Sequence, residues 1–294
     1  MEATGIYSLN LALTLDAAPH VELAVFHPKD EDLSVGTPVL NAKLVNCFQQ
    51  TLARSRTDAA DAVVLAHYSQ RMPFTRWQWP SLHGLQLRAL ARHISALVTQ
   101  QSREQNRLHS LVHSSTAPRA VIDDLGRSLA SVARRIVKMR AAAMEVIRAD
   151  AQLNQRFCLL MSVPGIGAIS ATQLLAETVL LAPDLTARQW VAYSGLDPMH
   201  CTSGALVHKR PRISRCGNRH LRRALYMPAL TAVCWDRHLK SFYEALQARH
   251  KSKLQALIAV TCKMLHAIYG IFKTRTPYDG NKLFLQLNLA PELQ

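Results

Sequence analysis

Ser162-Val163-Pro164-Gly165-Ile166-Gly167 opens a stretch that runs through Ala171, Leu174, Leu175 and Glu177. It crosses Trp190-Val191-Ala192-Tyr193-Ser194-Gly195-Leu196-Asp197-Pro198 and Thr202-Ser203-Gly204. It closes on Ile213-Ser214-Arg215-Cys216-Gly217-Asn218-Arg219-His220-Leu221-Arg222-Arg223. Its opening reads as a tight glycine turn into a helix, because a proline and two glycines are followed by apolar residues at helical spacing. Such a turn aims backbone N–H groups at whatever lies in front of Gly165 and Gly167, and an anion such as phosphate suits them. The closing part is cationic. No Asp or Glu falls between Asp197 and Asp236, while Lys209, Arg210, Arg212, Arg215, Arg219, Arg222 and Arg223 all do. Arg215, Arg219, Arg222 and Arg223 recur at three and four residues, a spacing that predicts one shared helical face. A run of this kind is often only a solvated surface. The glycine turn upstream and Ser203 between the two parts turn the reading toward a polyphosphate partner.

Outward from this stretch, the chain of 294 residues is 49% hydrophobic and can bury a core in two or three units. Its 35 basic residues outnumber 20 acidic ones, for a net charge of +15, which points to nucleic acid. Residues 254–272 form the most apolar segment, but Lys263 and His266 interrupt it, so a buried helix is expected there and no membrane partner. The start carries no secretory signal pattern. Six cysteines are scattered without a Cys-x-x-Cys pair, as reduced thiols in a cytoplasmic protein would be.

Toward the N-terminus, residues 21–26 (Val-Glu-Leu-Ala-Val-Phe) read as a strand stopped by His27-Pro28. Residues 44–52 read as a helix. Asp58 and Asp61 then open another, three residues apart and on one face. Paired carboxylates there suit a hard divalent metal, and they equally suit a helix N-terminus whose dipole they complement. Residues 71–80, with prolines and two tryptophans, read as a linker. Two long helices follow. Leu90, Ile94, Leu97, Leu108 and Leu111 lie along the first, and Val121, Leu125, Leu129, Val132, Ile136, Met139, Ala143 and Ile147 along the second. This period predicts an antiparallel hairpin or coiled coil. Arg88, Arg92, Arg103, Arg107, Arg127, Arg134, Arg135, Lys138 and Arg140 ride on its exposed positions, a solvated stripe or a track for nucleic acid. Residues 239–249 and 253–272 are expected to be helical.

Taken in order, these motifs resemble the transposases of the IS110 family. Met1-Glu2-Ala3-Thr4-Gly5-x-Tyr7 is similar to the family's glutamate motif, and Arg56-Thr57-Asp58-x-x-Asp61-Ala62 to its paired-aspartate motif. Pro164-Gly165-Ile166-Gly167, Tyr193-Ser194-Gly195-Leu196-x-Pro198, Ser203-Gly204, Ile213-Ser214-Arg215-x-Gly217-Asn218-x-x-Leu221-Arg222 and Pro277-Tyr278-Asp279 resemble its C-terminal domain. The likeness covers residues 1–76 and about 155–283. It implies a mainly α chain in three parts. These are a partial RuvC- or ribonuclease-H-like α/β domain (1–80), a coiled-coil helical hairpin (81–152) and a mostly helical transposase domain with a helix-hairpin-helix-like turn (153–283), before a tail (284–294). It further implies Glu2, Asp58 and Asp61 as ligands of Mg²⁺ or another divalent metal, and Ser203 as nucleophile, ahead of Ser214 and then Ser194. Gly165, Gly167, Lys209, Arg210, Arg212, Arg215, Asn218, Arg219, Arg222 and Arg223 are its candidate nucleic-acid contacts. The implied partners are DNA, a guide RNA from the element and further copies of the chain.

The family's first aspartate lies upstream of its glutamate motif, where this sequence begins. The expectation is therefore a RuvC-like domain lacking its start, and a chain that is inactive in strand transfer as it stands. Two other readings remain open at this point: a nucleic-acid-binding remnant without catalysis, and a junction-resolving metal nuclease that needs no Ser203.

Overall fold

The computed structural model describes residues 42–52, 57–71, 81–182, 184–203, 207–214 and 216–282. They are mainly α-helical, with one two-stranded sheet. They fall into two compact units, 1–79 and 80–294.

In the first unit, α1 (Ala42–Leu52) packs against α2 (Asp58–Arg71), with the rings of Phe48 and Tyr68 edge to face. Thr57 starts α2, its hydroxyl accepting from the Ala60 N–H at 3.2 Å. Glu2 and the strand expected at residues 21–26 lie outside the described residues.

The second unit begins with two helices of 31 residues each, α3 (Leu82–Val112) and α4 (Arg119–Ala149). Each is about 46 Å long at 1.5 Å per residue. Ser81 caps α3, accepting from the Gly84 N–H. Of the expected positions on α3, Ile94 and Leu97 are buried, joined by Leu87 and Ala91, while Leu90, Gln101, Glu104, Leu108 and Leu111 are half-buried; on α4 Leu125, Val132, Ile136, Ala143 and Ile147 are buried. The helices run antiparallel. Leu97 clusters with Val132 and Ile136, while the later Glu104 meets the earlier Ser128. Asp150 ends α4 and caps α5 (Ala151–Met161), its Oδ1 accepting from the N–H groups of Gln152 and Leu153.

The glycine turn leads from α5 into α6 (Ala168–Thr178), as expected. Ala171, Thr172 and every residue from Leu174 to Thr178 are buried in α6, so it is the axis around which α3, α5 and α8 pack. A helix apolar nearly all round has to lie inside. Next comes α7 (Ala187–Ser194), with a Thr186–Gln189 capping box and Gly195 in the left-handed region at its end. Strands β1 (Pro198–Ser203) and β2 (Val207–Ile213) then form an antiparallel hairpin, pairing Pro198 with Ile213 and Ser203 with Val207 around a bulge between Met199 and Cys201. The helical period in this region gave no sign of it. Last come α8 (Arg219–Trp235), α9 (Arg237–Ala248) and α10 (Lys253–Thr274). By length and apolarity α10 could cross a membrane, yet Leu257, Val260, Met264, Leu265 and Ile268 are buried in the core, as residues of a core helix are. The loop after α10 returns to the glycine turn, the Tyr278 N–H donating to Ser162 Oγ at 2.9 Å.

Candidate nucleic-acid interface

The two glycines expected to face an anion have different surroundings. Gly165 has φ +89° and lies against α8, where a Cβ would meet the Pro228 carbonyl oxygen at 2.5 Å and the Ala232 nitrogen at 2.9 Å. Only glycine allows that approach in that conformation, so Gly165 is a packing residue. Gly167 is exposed, with open space where its Cβ would be, and no side chain caps α6 behind it. Of the two, only Gly167 stands beside open helix N–H groups.

The cationic run does not form one helical face. Its helix begins only at Arg219, with Asn218 as cap, because the Asn218 side-chain oxygen accepts from the N–H groups of His220 (2.9 Å) and Leu221 (3.2 Å). Arg215 precedes the helix and lies outside the described residues, as does the 204–206 segment. Lys209, Arg210 and Arg212 belong to β2, with Lys209 opposite Cys201 and Arg212 opposite Met199. Arg222 turns inward, its Nη1 donating to the Ser194 carbonyl at 2.6 Å. Arg219 and Arg223 are exposed, and Arg223 reaches α3, donating to Thr99 Oγ1 at 3.1 Å.

Asn218 is held from several sides. Its backbone N–H donates to the Tyr193 carbonyl at 2.7 Å, and its amide donates to Glu177 Oε2 at 2.6 Å and to the Tyr193 hydroxyl at 3.3 Å. Glu177, buried in α6, also receives Arg92 of α3 in a two-pronged pair, Nε to Oε1 at 2.8 Å and Nη2 to Oε2 at 3.1 Å. Arg88 stands 3.8 Å from Oε2. Burial pushes the Glu177 carboxyl up, but the hydrogen bonds of Arg92 and Asn218 and the charges of Arg92 and Arg88 outweigh it, leaving it below the usual carboxylate range. The same pair raises Arg92 above its ordinary value. Burial, reinforced by Arg92, pushes the neighbouring His220 down. Gly217 completes the knot, since a Cβ there would collide with the Tyr193 carbonyl. The sequence places Glu177 in the central stretch and Arg92 on an exposed stripe, but carries no sign that the two pair. A lone glutamate in an apolar helix is the signal that could have found the first.

The three candidate serines differ in the same concrete way. Ser194 is fully buried and its hydroxyl donates to the Val191 carbonyl at 2.7 Å. Ser214 donates to Asp197 Oδ1 at 2.7 Å, and its N–H to the Asp197 carbonyl at 2.9 Å, so it closes the base of the hairpin. Ser203 is at the far end of β1, beside the hairpin tip. Of the candidate acids, Asp58 opens α2, and Asp61 sits one turn on, its Oδ1 accepting from Gln49 Nε2 at 2.5 Å. Among the described residues no group of three or more His, Cys, Asp or Glu side chains gathers as a metal site.

Comparison with known proteins gives the same two regions. The model of the transposase IS116/IS110/IS902 family matches residues 158–244, and a second transposase model, of the IS110 DEDD type, matches residues 1–117. The chain is 28% identical over 282 residues to the pilin gene-inverting protein of Moraxella bovis, covering 95% of this chain and 81% of that one. The counterpart in Moraxella lacunata is similar to the same extent. An uncharacterized 43.6 kDa protein of the insertion element IS110 from Streptomyces coelicolor is 28% identical over 159 residues, 54% of this chain and 39% of that one. With one model on the glycine turn, serine hairpin and cationic helix and the other on the paired aspartates, the chain belongs to the IS116/IS110/IS902 family of transposases and is a DNA transposase or recombinase.

Proposed function

We propose that this recombinase breaks and rejoins DNA through Ser203. The observation that carries the assignment is the contrast among the three serines. The hydroxyls of the two rivals, Ser194 and Ser214, donate to internal acceptors, and the backbone position of Ser203 is the end of a strand whose partner strand carries Lys209, Arg210 and Arg212. The Ser203 oxygen attacks a DNA phosphorus and the phosphodiester opens. The DNA is left esterified to the serine, and one deoxyribose hydroxyl leaves with a proton. A hydroxyl from the exchanged strand then attacks the phosphoserine ester and releases the serine with the DNA rejoined. A serine hydroxyl needs activation and charge stabilisation for this, and the β2 cations are suited to stabilising the crowded phosphorane.

On this reading Asp58, Asp61 and Glu2 would supply carboxylate oxygens, the donors that a hard divalent cation such as Mg²⁺ takes. Such an ion would neutralise phosphate charge when bound. Gln49 holds one oxygen of Asp61, which fixes the orientation of that carboxylate on α2. A guide RNA that pairs with the DNA, and assembly of several copies, complete the reading. The test is capture of the covalent intermediate. In a complete protein, Ser203→Ala should abolish the protein–DNA adduct while leaving DNA binding nearly intact. Adduct that survives in Ser203→Ala and disappears in Ser214→Ala would reverse the assignment.

A further inference from the structure

A groove of about 650 Å³ runs between the polar face of α3 and the first turns of α8. Arg92, Arg103 and Arg107 line one wall and Arg219, His220 and Arg223 the other. Along α3 the lining residues recur at 92, 96, 99, 100, 103 and 107, a single stripe of one helix. From Arg92 to Arg107 it extends about 22 Å at 1.5 Å per residue. Ala96, midway, leaves the floor open, and Ser95, Thr99 and Gln100 add neutral polar groups to it.

The groove has one acidic lining residue, Glu104, and its carboxylate is engaged on both oxygens. Gln100 Nε2 donates to Oε1 and Ser128 Oγ to Oε2, each at 2.8 Å. Glu177, beneath the same end, is buried and engaged with Arg92 and Asn218. Arg103, Arg107 and Arg219 are exposed, and among the described residues no internal hydrogen bond holds their guanidinium groups. This geometry is unlike a stripe of solvated charges on a helix. Cations from two segments more than a hundred residues apart face one another across a trough, with its one acid held by two neutral donors and outnumbered by arginines.

We infer that this trough binds the sugar–phosphate backbone of a nucleic acid, with Arg103, Arg107 and Arg219 as its phosphate contacts. The inference rests on the reading of the chain as a nucleic-acid recombinase and gives that enzyme a binding track apart from the serine hairpin. A guanidinium forks onto two phosphate oxygens, and a trough about 22 Å long spans several consecutive phosphates. Contacts from guanidinium groups to phosphates position a strand without reading its sequence.

The test is made on the full chain with two probes of equal length, a duplex DNA and a single-stranded RNA, by titrating each over a range of salt. The variant Arg103→Ala/Arg107→Ala/Arg219→Ala removes three charges from the trough. The variant Arg134→Ala/Arg135→Ala/Lys138→Ala removes three exposed charges from α4 instead. If each trough arginine meets a phosphate, the slope of log K against log salt falls by about three units for at least one probe. The α4 variant should change it by less than about one. A fall with DNA alone or RNA alone identifies whose backbone occupies the trough. Equal effects of the two triple variants on both probes, or no effect, would overturn the inference. Ser203→Ala should leave both slopes unchanged, so failure of the serine assignment is read separately, in the adduct assay.

Discussion

Replacing Glu177 by alanine would deprive Arg92 and Asn218 of the oxygens they donate to and leave two arginines at the edge of a buried void. Breaking a buried pair costs about 3–5 kcal/mol, and the partial exposure of Arg92 argues for the lower end, about 3 kcal/mol. Glu177→Gln keeps an acceptor for Asn218 and should lose less. Urea denaturation measures both, and a loss below about 0.5 kcal/mol for Glu177→Ala would reduce the network to decoration. At this scale the sequence was least legible. Arg92 and Asn218 lie 85 and 41 residues from Glu177, and no local period brings them together. Asn218 and Arg222, grouped with the phosphate contacts by their motif, are engaged within the protein as a helix cap and a carbonyl clamp.

Among elements, the glycine turn between α5 and α6 is where a small change should have the largest effect. An L side chain in the left-handed region costs about 1–2 kcal/mol. At Gly165 the collision with α8 comes on top of that, because the obstacles are backbone atoms of Pro228 and Ala232 and cannot rotate away. Gly165→Ala should therefore lower the melting temperature by several degrees, at about 2–4 °C per kcal/mol for a chain of this size. Gly167→Ala, with open space around it, should change it little. Equal melting temperatures for the two variants would contradict the packing assigned to Gly165. The helices were legible because long apolar periods admit one reading: both arms of the hairpin, α6 and α10 stand where the spacing put them. The β-hairpin was not. Its strands are six and seven residues of mixed polarity, one of them carrying Pro211, and pairing rather than pattern makes them strands. The acids of the first unit were legible as a pair on one helix and no further.

Taken whole, the molecule carries its acid sensitivity in a few partly buried groups. His220 and His266 titrate below their ordinary 6.5 because burial disfavours the imidazolium and neighbouring cations repel it. The unfolded chain takes up those protons first, so stability is full above about pH 6.5 and declines as pH falls through the folded values. Glu177 sits below its ordinary 4.5, and its contribution, present above that value, is lost further down. Thermal melts from about pH 8 down to about pH 2 should show two successive losses, the first absent in a variant with both histidines replaced by glutamine. A flat profile would contradict both assignments. The long hairpin gives Glu177 one more consequence. Val112, at the far end of α3, stands about 30 Å beyond Arg92 at 1.5 Å per residue. Glu177 grips Arg92 with one oxygen pair and, through Asn218, the root of the helix that follows the serine hairpin. A single carboxylate thus ties the root of an arm that reaches about 30 Å outward to the start of the cationic helix, like a rivet through two plates at the place where both are anchored in the core.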